Sequence, residues 1–297
     1  MTKFTEFASL IRLLDDESES VRTAVGRRLL DYEDQLPEFI SQLDHLPSTE
    51  TFALLNRLIR EAKCETLTDH WDDILTESDP VQRLELALGV IADYVDGLHL
   101  RSMRLTKALD ELATEFEGTR TALGLVEKLF RSGRFTGNRA DYYDPKNSSL
   151  LAIIEDGSGN PISLACLLIL VGKRLDLEIG GCNYPGHFLS LIPRDDGAIL
   201  VDCFNAGQVV VPEDLIDAQV AEATNIGDSL FQAASTEVIL LRVLRNLERA
   251  FHQLKQEQDR AVISGHPPEI AHAALEPQLG RRLHARVLHL QLRLDSK

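Results

Sequence analysis

Gly159-Asn-Pro-Ile-Ser-Leu-Ala-Cys166, followed by Asn183-Tyr-Pro-Gly-His-Phe188, is the stretch whose reading decides the fold. Asp156-Gly-Ser-Gly-Asn160 is turn chemistry, in which Asn160 can cap a helix and Pro161 takes the first helical position, where a missing N–H costs nothing. From Ile162 to Leu175 the residues are almost all apolar. This predicts a central helix buried on most sides.

Working outward toward the C-terminus, His187–Ile192 and Ile199–Phe204 alternate as strands, and Pro193-Arg-Asp-Asp-Gly197 between them is a hairpin signal. A turn centred on Arg194 and Asp195 puts His187 directly opposite Asp202, with Cβ atoms roughly 4.5–5.5 Å apart. An imidazole then meets a carboxylate. Alternation places Leu189, Leu191, Leu200 and Phe204 on the His187 face, and Phe188, Ser190, Val201 and Cys203 on the other. Cys203 is thus a poor partner for His187, although a one-residue slip would reverse that assignment.

These residues carry a family resemblance. Asp141-Tyr-Tyr-Asp-Pro-Lys-Asn-Ser148, the Gly159-x-Pro-Ile-Ser-Leu164 step, Pro185-Gly-His187 and Val201-Asp-x-Phe-Asn-x-Gly207 resemble the SirB-type transglutaminase-like proteins, over about residues 130–207. The resemblance implies an α+β fold with a papain- or transglutaminase-like core, a central helix packed on a small antiparallel sheet. It also implies a nucleophile at the helix start, with His187 and Asp202 matching the other two members of a triad. Counting back from Leu175-Asp-Leu177, the nucleophile position falls on Pro161, which has no nucleophilic group.

Other groups could replace the missing thiol. Cys166 lies deeper in the helix with Ile162 and Ile169 and reads as a small core residue. Ser163 reads as a capping or packing hydroxyl, with a nucleophile's role as the alternative. Tyr142 and Tyr143 beside carboxylates either line a pocket or tie down a loop. Asn147 and Asn183, within the same motifs, join them as pocket candidates.

Length and charge bound the rest. A chain of 297 residues with 44% hydrophobic content can bury a sizeable core. A formal net charge of −16 argues against a surface that tracks nucleic-acid phosphates or anionic membranes, because the basic residues are scattered. The densest basic run, Arg281 to Arg293, is interleaved with Leu and reads as a solvated helix face. Cys64, Cys166, Cys182 and Cys203 have no metal-ligand spacing, so no metal and no cofactor are expected. Without an apolar N-terminal leader or a run of about 18 apolar residues, the expectation is a bacterial-type cytoplasmic protein.

Before the central stretch the chain reads as helical. Phe7, Leu10, Ile11, Leu13 and Leu14 form one stripe and Val21, Val25, Leu29 and Leu30 another, and the acidic turn from Leu14 to Arg22 resembles a HEAT-like repeat. Helices are expected near 49–64, 66–75, 80–95, 102–114 and 121–130, with Phe52 and Trp71 as core anchors. After Gly207 a short strand at 208–212 leads into helices near 212–223 and 236–261. There Ile239, Arg242, Leu244, Asn246 and Leu247 match the Ile-x-x-Arg-x-Leu-x-Asn-Leu tail of the resembled family. The expected division is 1–118 helical, 119–212 transglutaminase-like core and 213–297 C-terminal helices.

Two function classes follow. One is a non-catalytic binding or regulatory protein whose N-terminal helices contact a protein partner. The other is an amide hydrolase or acyltransferase that uses His187 and Asp202 with an alternative thiol or an activated water. A thiolate needs both a base within roughly 2.6–3.2 Å and a means of lowering its pKa. No cysteine is expected to have both.

Overall fold

The computed structural model describes residues 2–32, 35–96, 105–184, 187–195, 197–210 and 232–263. The expected helix at 212–223, the start of the one at 102–114, and the basic run from Arg281 to Arg293 lie outside these residues.

At the centre is the helix α9 (Pro161–Arg174), in which every residue from Pro161 to Gly172 is buried. Asn160 stays extended at the cap, and its side chain accepts a hydrogen bond from the Ser163 N–H at 3.0 Å. The helix start is fixed from outside as well, because the Asn160 amide donates to Ser148 Oγ at 3.2 Å. With the last turn carrying Lys173 and Arg174, the ends of the helix are polar and its middle is entirely apolar.

Against α9 lies an antiparallel sheet in the order β3 (Gly180–Cys182), β4 (Leu189–Arg194), β5 (Gly197–Asp202) and β6 (Gln208–Val210). A two-residue parallel pair, β1 (Thr136–Gly137) with β2 (Ser158–Gly159), leads into the helix start. Phe188, Ile192, Val201 and Cys203 join α9 in the main core, whereas Leu189, Leu191 and Leu200 form a smaller cluster with Cys182 on the opposite face. The sheet is therefore apolar on both sides.

The hairpin closes at Arg194↔Gly197, with Ser190 opposite Val201. This corrects the expected register by two residues, and continuing the ladder puts Leu189, not His187, opposite Asp202. Pro193, which reads as a turn residue in the sequence, lies in β4 opposite Ala198. It is tolerated there because β3 pairs only as far as Leu191, so the missing N–H falls on a free edge. The slip is even, and side-chain direction repeats every two residues, so the strand residues keep their expected faces, whereas Phe204, expected beside Leu200, lies in the turn after β5 and packs against the main core.

The main core also takes in helices that precede and follow the sheet in the chain: α5 (Pro80–Asp96), α6 (Leu105–Glu115), α7 (Ala122–Val126, continuing as a π turn over Glu127–Arg131), α8 (Leu150–Asp156) and α10 (Thr236–Ile263). Gly157 ends α8 at φ 73°, in the left-handed region where a glycine is at ease. Two contacts fix the first turn of α10 to the start of α5. Thr236 Oγ1 donates to the Pro80 carbonyl at 2.8 Å, and Arg83 meets Glu237 at 2.9 Å.

A second core lies in the N-terminal helices α1 (Lys3–Ile11), α2 (Glu19–Leu30) and α3 (Leu36–Ser41), with Phe7, Leu29, Phe39, Leu55 and Ile59 among its members. The bridge to the main core is α4 (Thr49–Ile74), which supplies Leu55 to one core and Trp71 to the other. Two helices were expected over 49–64 and 66–75. A single one runs through because Cys64-Glu-Thr66 contains neither Gly nor Pro to interrupt the hydrogen-bond ladder. Among the described residues no helix is long and apolar enough to cross a membrane.

Candidate functional site

His187 and the end of β5 meet at one end of the sheet. His187 sits in the loop just before β4, its N–H donating to the Tyr184 carbonyl at 3.1 Å, and Asp202 is the last residue of β5. His187 Nε2 and Asp202 Oδ2 are 2.7 Å apart. The register correction makes this a diagonal contact, which an imidazole is long enough to span.

Asp202 is held from two further directions. The Asn205 N–H donates to Oδ1 at 3.0 Å and the Asn205 amide to Oδ2 at 2.6 Å. Burial pushes the Asp202 carboxyl up, but the hydrogen bonds from His187 and Asn205 outweigh it, and the net result lies below the usual carboxylate range. Because Nε2 is committed to this ionised carboxylate, Nδ1 is the ring nitrogen left for a ligand.

A cavity of about 440 Å³ opens beside the pair, with His187, Pro161, Ile162 and Phe188 on one side and Asn183 and Tyr142 at its rim. The lining also includes one face of α10, with Arg242, Arg245, Asn246 and Arg249. These positions share a face because i, i+3, i+4 and i+7 fall within one stripe of a helix. The other side of α10, with Leu240, Val243, Leu244 and Leu247, is in the core. Arg242 is anchored across the cavity mouth by hydrogen bonds to Asn183 Oδ1 at 2.5 Å and to the Tyr184 carbonyl at 2.8 Å, and its guanidinium stacks 5.8 Å from the Phe188 ring.

The residues singled out from the sequence divide into two groups. Pro161, His187, Asn183 and Tyr142 line the cavity, with Asp202 behind His187. Tyr143 is half exposed and packs edge-on against Tyr142, while Tyr142 itself also touches Phe204. Asn147 is buried and ties its loop together: its amide donates to the carbonyls of Asp141 and Tyr142, and its Oδ1 accepts from Asn138. Ser163 is buried within α9, and neither it nor Asn147 is among the lining residues.

The three cysteines whose side chains are described, Cys166, Cys182 and Cys203, are all buried, and none lines the cavity. Burial pushes all three thiols up: Cys166 strongly, Cys203 to about 12 and Cys182 to about 11, where the nearby Arg242 charge opposes the shift. Cys203 shares a hydrogen bond of 3.2 Å with Ser190 on the face away from His187. Among the described residues no group of three His, Cys, Asp or Glu side chains could hold a metal ion.

Arg245 and Arg249 were missed in the sequence, and Arg242 and Asn246 were noted there only as part of a tail motif. The available signal was the helical spacing of these four polar side chains beside the apolar stripe of α10, which by itself reads as an ordinary solvent face.

Comparison with known proteins gives one superfamily match and several partial relatives. Residues 99–245 match the Transglutaminase-like superfamily. Over 130 residues the chain is 38% identical to a UPF0162 protein of Xylella fastidiosa (strain 9a5c), covering 41% of this chain and 46% of that protein. A UPF0162 protein of Pseudomonas aeruginosa is 24% identical over 181 residues, 58% of this chain and 65% of that protein. The human F-box only protein 21 is 27% identical over 128 residues, 40% of this chain and 20% of that protein. The matches thus span about half of the Xylella protein and under two thirds of the other two. No solved structure matches the chain.

Proposed function

We propose that, on this transglutaminase-like domain, the cavity serves binding or regulation and not thiol catalysis. The observation that carries the reading is Pro161, which begins α9 and lines the same cavity as His187. A thiol enzyme of this architecture needs a sulfur at that helix start, where a neighbouring base and the helix N-terminus favour the thiolate. Pro161 offers neither a sulfur nor an N–H for a developing oxyanion. Counting back along the helix from Leu175-Asp-Leu177, as the resemblance to transglutaminase-like proteins suggests, supports the same assignment.

In this role the His187–Asp202 pair acts as a fixed polar clamp. Asp202 orients the ring through Nε2, and Nδ1 presents a single directional hydrogen bond to whatever occupies the cavity. The N-terminal helices, which hold a core of their own, contact a protein partner in this reading.

The 2.7 Å His187–Asp202 contact favours one alternative, hydrolysis of an amide or ester by a water that His187 activates. Assays of acyl transfer and hydrolysis on a broad amide and ester panel separate the two, with Cys166→Ala, Cys182→Ala and His187→Ala beside the parent. The expected result is no turnover that depends on any of these side chains. Turnover abolished by His187→Ala and by one Cys→Ala overturns the proposal and names the nucleophile. Loss with His187→Ala alone assigns the reaction to activated water.

A further inference from the structure

Elsewhere in the molecule, Arg174 and Arg83 are drawn into the interior and matched by carboxylates, whereas the half-buried Arg22 stands singly on the backbone carbonyls of Asp16 and Glu17. Arg174, with a side chain 16% exposed, takes both oxygens of Glu85 at 2.8 and 2.9 Å and Asp110 at 2.6 Å. Arg83, 15% exposed, meets Glu237. Such matching is the ordinary way to offset the desolvation of a guanidinium.

The cavity differs in gathering three unmatched arginines in one lining. Arg242, Arg245 and Arg249 face it from one helix, and none forms an ion pair with a carboxylate among the described residues. Arg242 is half-buried, and its partners are the neutral oxygens of Asn183 and Tyr184. Burial and repulsion from Arg249 and Arg245 both disfavour its charged form. In a chain of formal net charge −16, three neighbouring cations without acidic partners are a local reversal of sign. A guanidinium on a solvated helix face can stand alone because water satisfies it. That account covers Arg245 and Arg249 singly, but not Arg242, which is anchored inside the mouth.

We propose that this cavity binds a small multivalent oxyanion, held by Arg242, Arg245 and Arg249 with Asn183, Asn246 and His187 as directional partners. The inference takes the cavity of the preceding reading as the binding site and names its ligand class. Guanidinium forks match phosphate and carboxylate oxygens in pairs, and seven residues of helix spread the three arginines over roughly 10 Å. That spread suits a ligand with more than one anionic group. A cavity of about 440 Å³ suits a small molecule. The shared chemistry is the clustered oxyanion, carried by either a phosphate or a polycarboxylate.

The test is calorimetric titration of the full chain with inorganic pyrophosphate and, separately, with citrate, repeated at two salt concentrations. Saturable binding that weakens with salt is expected for at least one, and the tighter of the two assigns phosphate or carboxylate. Arg245→Gln and Arg249→Gln should each weaken it about tenfold or more, since a hydrogen bond to a charged group is worth about that much. Arg120→Gln, the same charge change outside the cavity lining, should leave it unchanged. Arg242→Gln should abolish binding. Because that variant also loses a loop contact, the exposed pair Arg245 and Arg249 decides the matter if it fails to fold. No saturable binding of either anion, or equal loss with Arg120→Gln, overturns the proposal. Failure here alongside an absence of turnover removes the ligand class and leaves the binding reading standing. Turnover dependent on His187 together with anion binding removes the non-catalytic reading and keeps the oxyanion site.

Discussion

Two helices border the cavity, and they are built on opposite plans. In α9 every residue from Pro161 to Gly172 is buried, and the polar work is done by the cap, Asn160. In α10 the apolar side packs into the core while Arg242, Arg245, Asn246 and Arg249 face the cavity. One helix supplies rigidity, and the other supplies charge. The lesson is that the scaffold and the site carry different signals. A continuous apolar run announces its burial locally, whereas a polar stripe means something only when the opposing surface is known.

The contrast is broken most directly in α9. Leu168→Asp places a carboxylate where the side chain is fully buried and no cation is near in the helix, so a loss of about 3–5 kcal/mol is expected. Urea denaturation of variant and parent measures it, and equal midpoints would show that α9 is not the buried element. A smaller loss is expected at the cap. Asn160→Ala removes the hydrogen bond from the Ser163 N–H and leaves Ser148 Oγ without its donor, which together should lower stability by about 1–2 kcal/mol in the same experiment.

Between the helices, the His187–Asp202 pair ties the sheet to the cavity and adds a dependence on pH. The folded Asp202 carboxyl lies below its unfolded value of about 3.9, so the folded state binds fewer protons as pH falls through this range. Its contribution is therefore complete above about pH 4 and is lost as pH drops through the folded pKa. Urea midpoints of the parent and Asp202→Asn should differ at pH 6 and converge toward pH 3. A gap that stays constant across that range would show that the carboxylate gains nothing from its partners.

How much of this was legible from the sequence follows the same division. The capped start and burial of α9 were readable because cap, proline and apolar run are adjacent in the chain. The meeting of His187 with Asp202 was readable because a hairpin keeps parity: the register moved by two residues and the faces survived. The exact ladder was not, because Pro193 looks like a turn residue until β3 is known to stop short of it. The run from Cys64 to Thr66 was read as a break although it holds no helix breaker. The arginine wall was least legible. Nothing local says that Arg245 and Arg249 line the same cavity as Pro161, since α10 is brought there by tertiary contacts such as those of Thr236 and Glu237 with α5.

The smallest effect tests the difference between the helices most sharply. Arg245 and Arg249 are four residues apart on α10, an arrangement in which like charges destabilise a helix by about 0.2–0.5 kcal/mol. Replacing either with Gln should therefore leave the fold intact and raise the urea midpoint slightly, in contrast to every substitution in α9. A residue that lowers stability and can be removed at a gain is not there to hold the structure together. If either variant instead proves clearly destabilised, the arginines belong to the scaffold, and α10 is the same kind of helix as α9 with its polar side turned outward. If both are stabilised while oxyanion binding falls, the repulsion along α10 is the cost of keeping three cations at one wall, and the two helices differ in purpose as well as in composition.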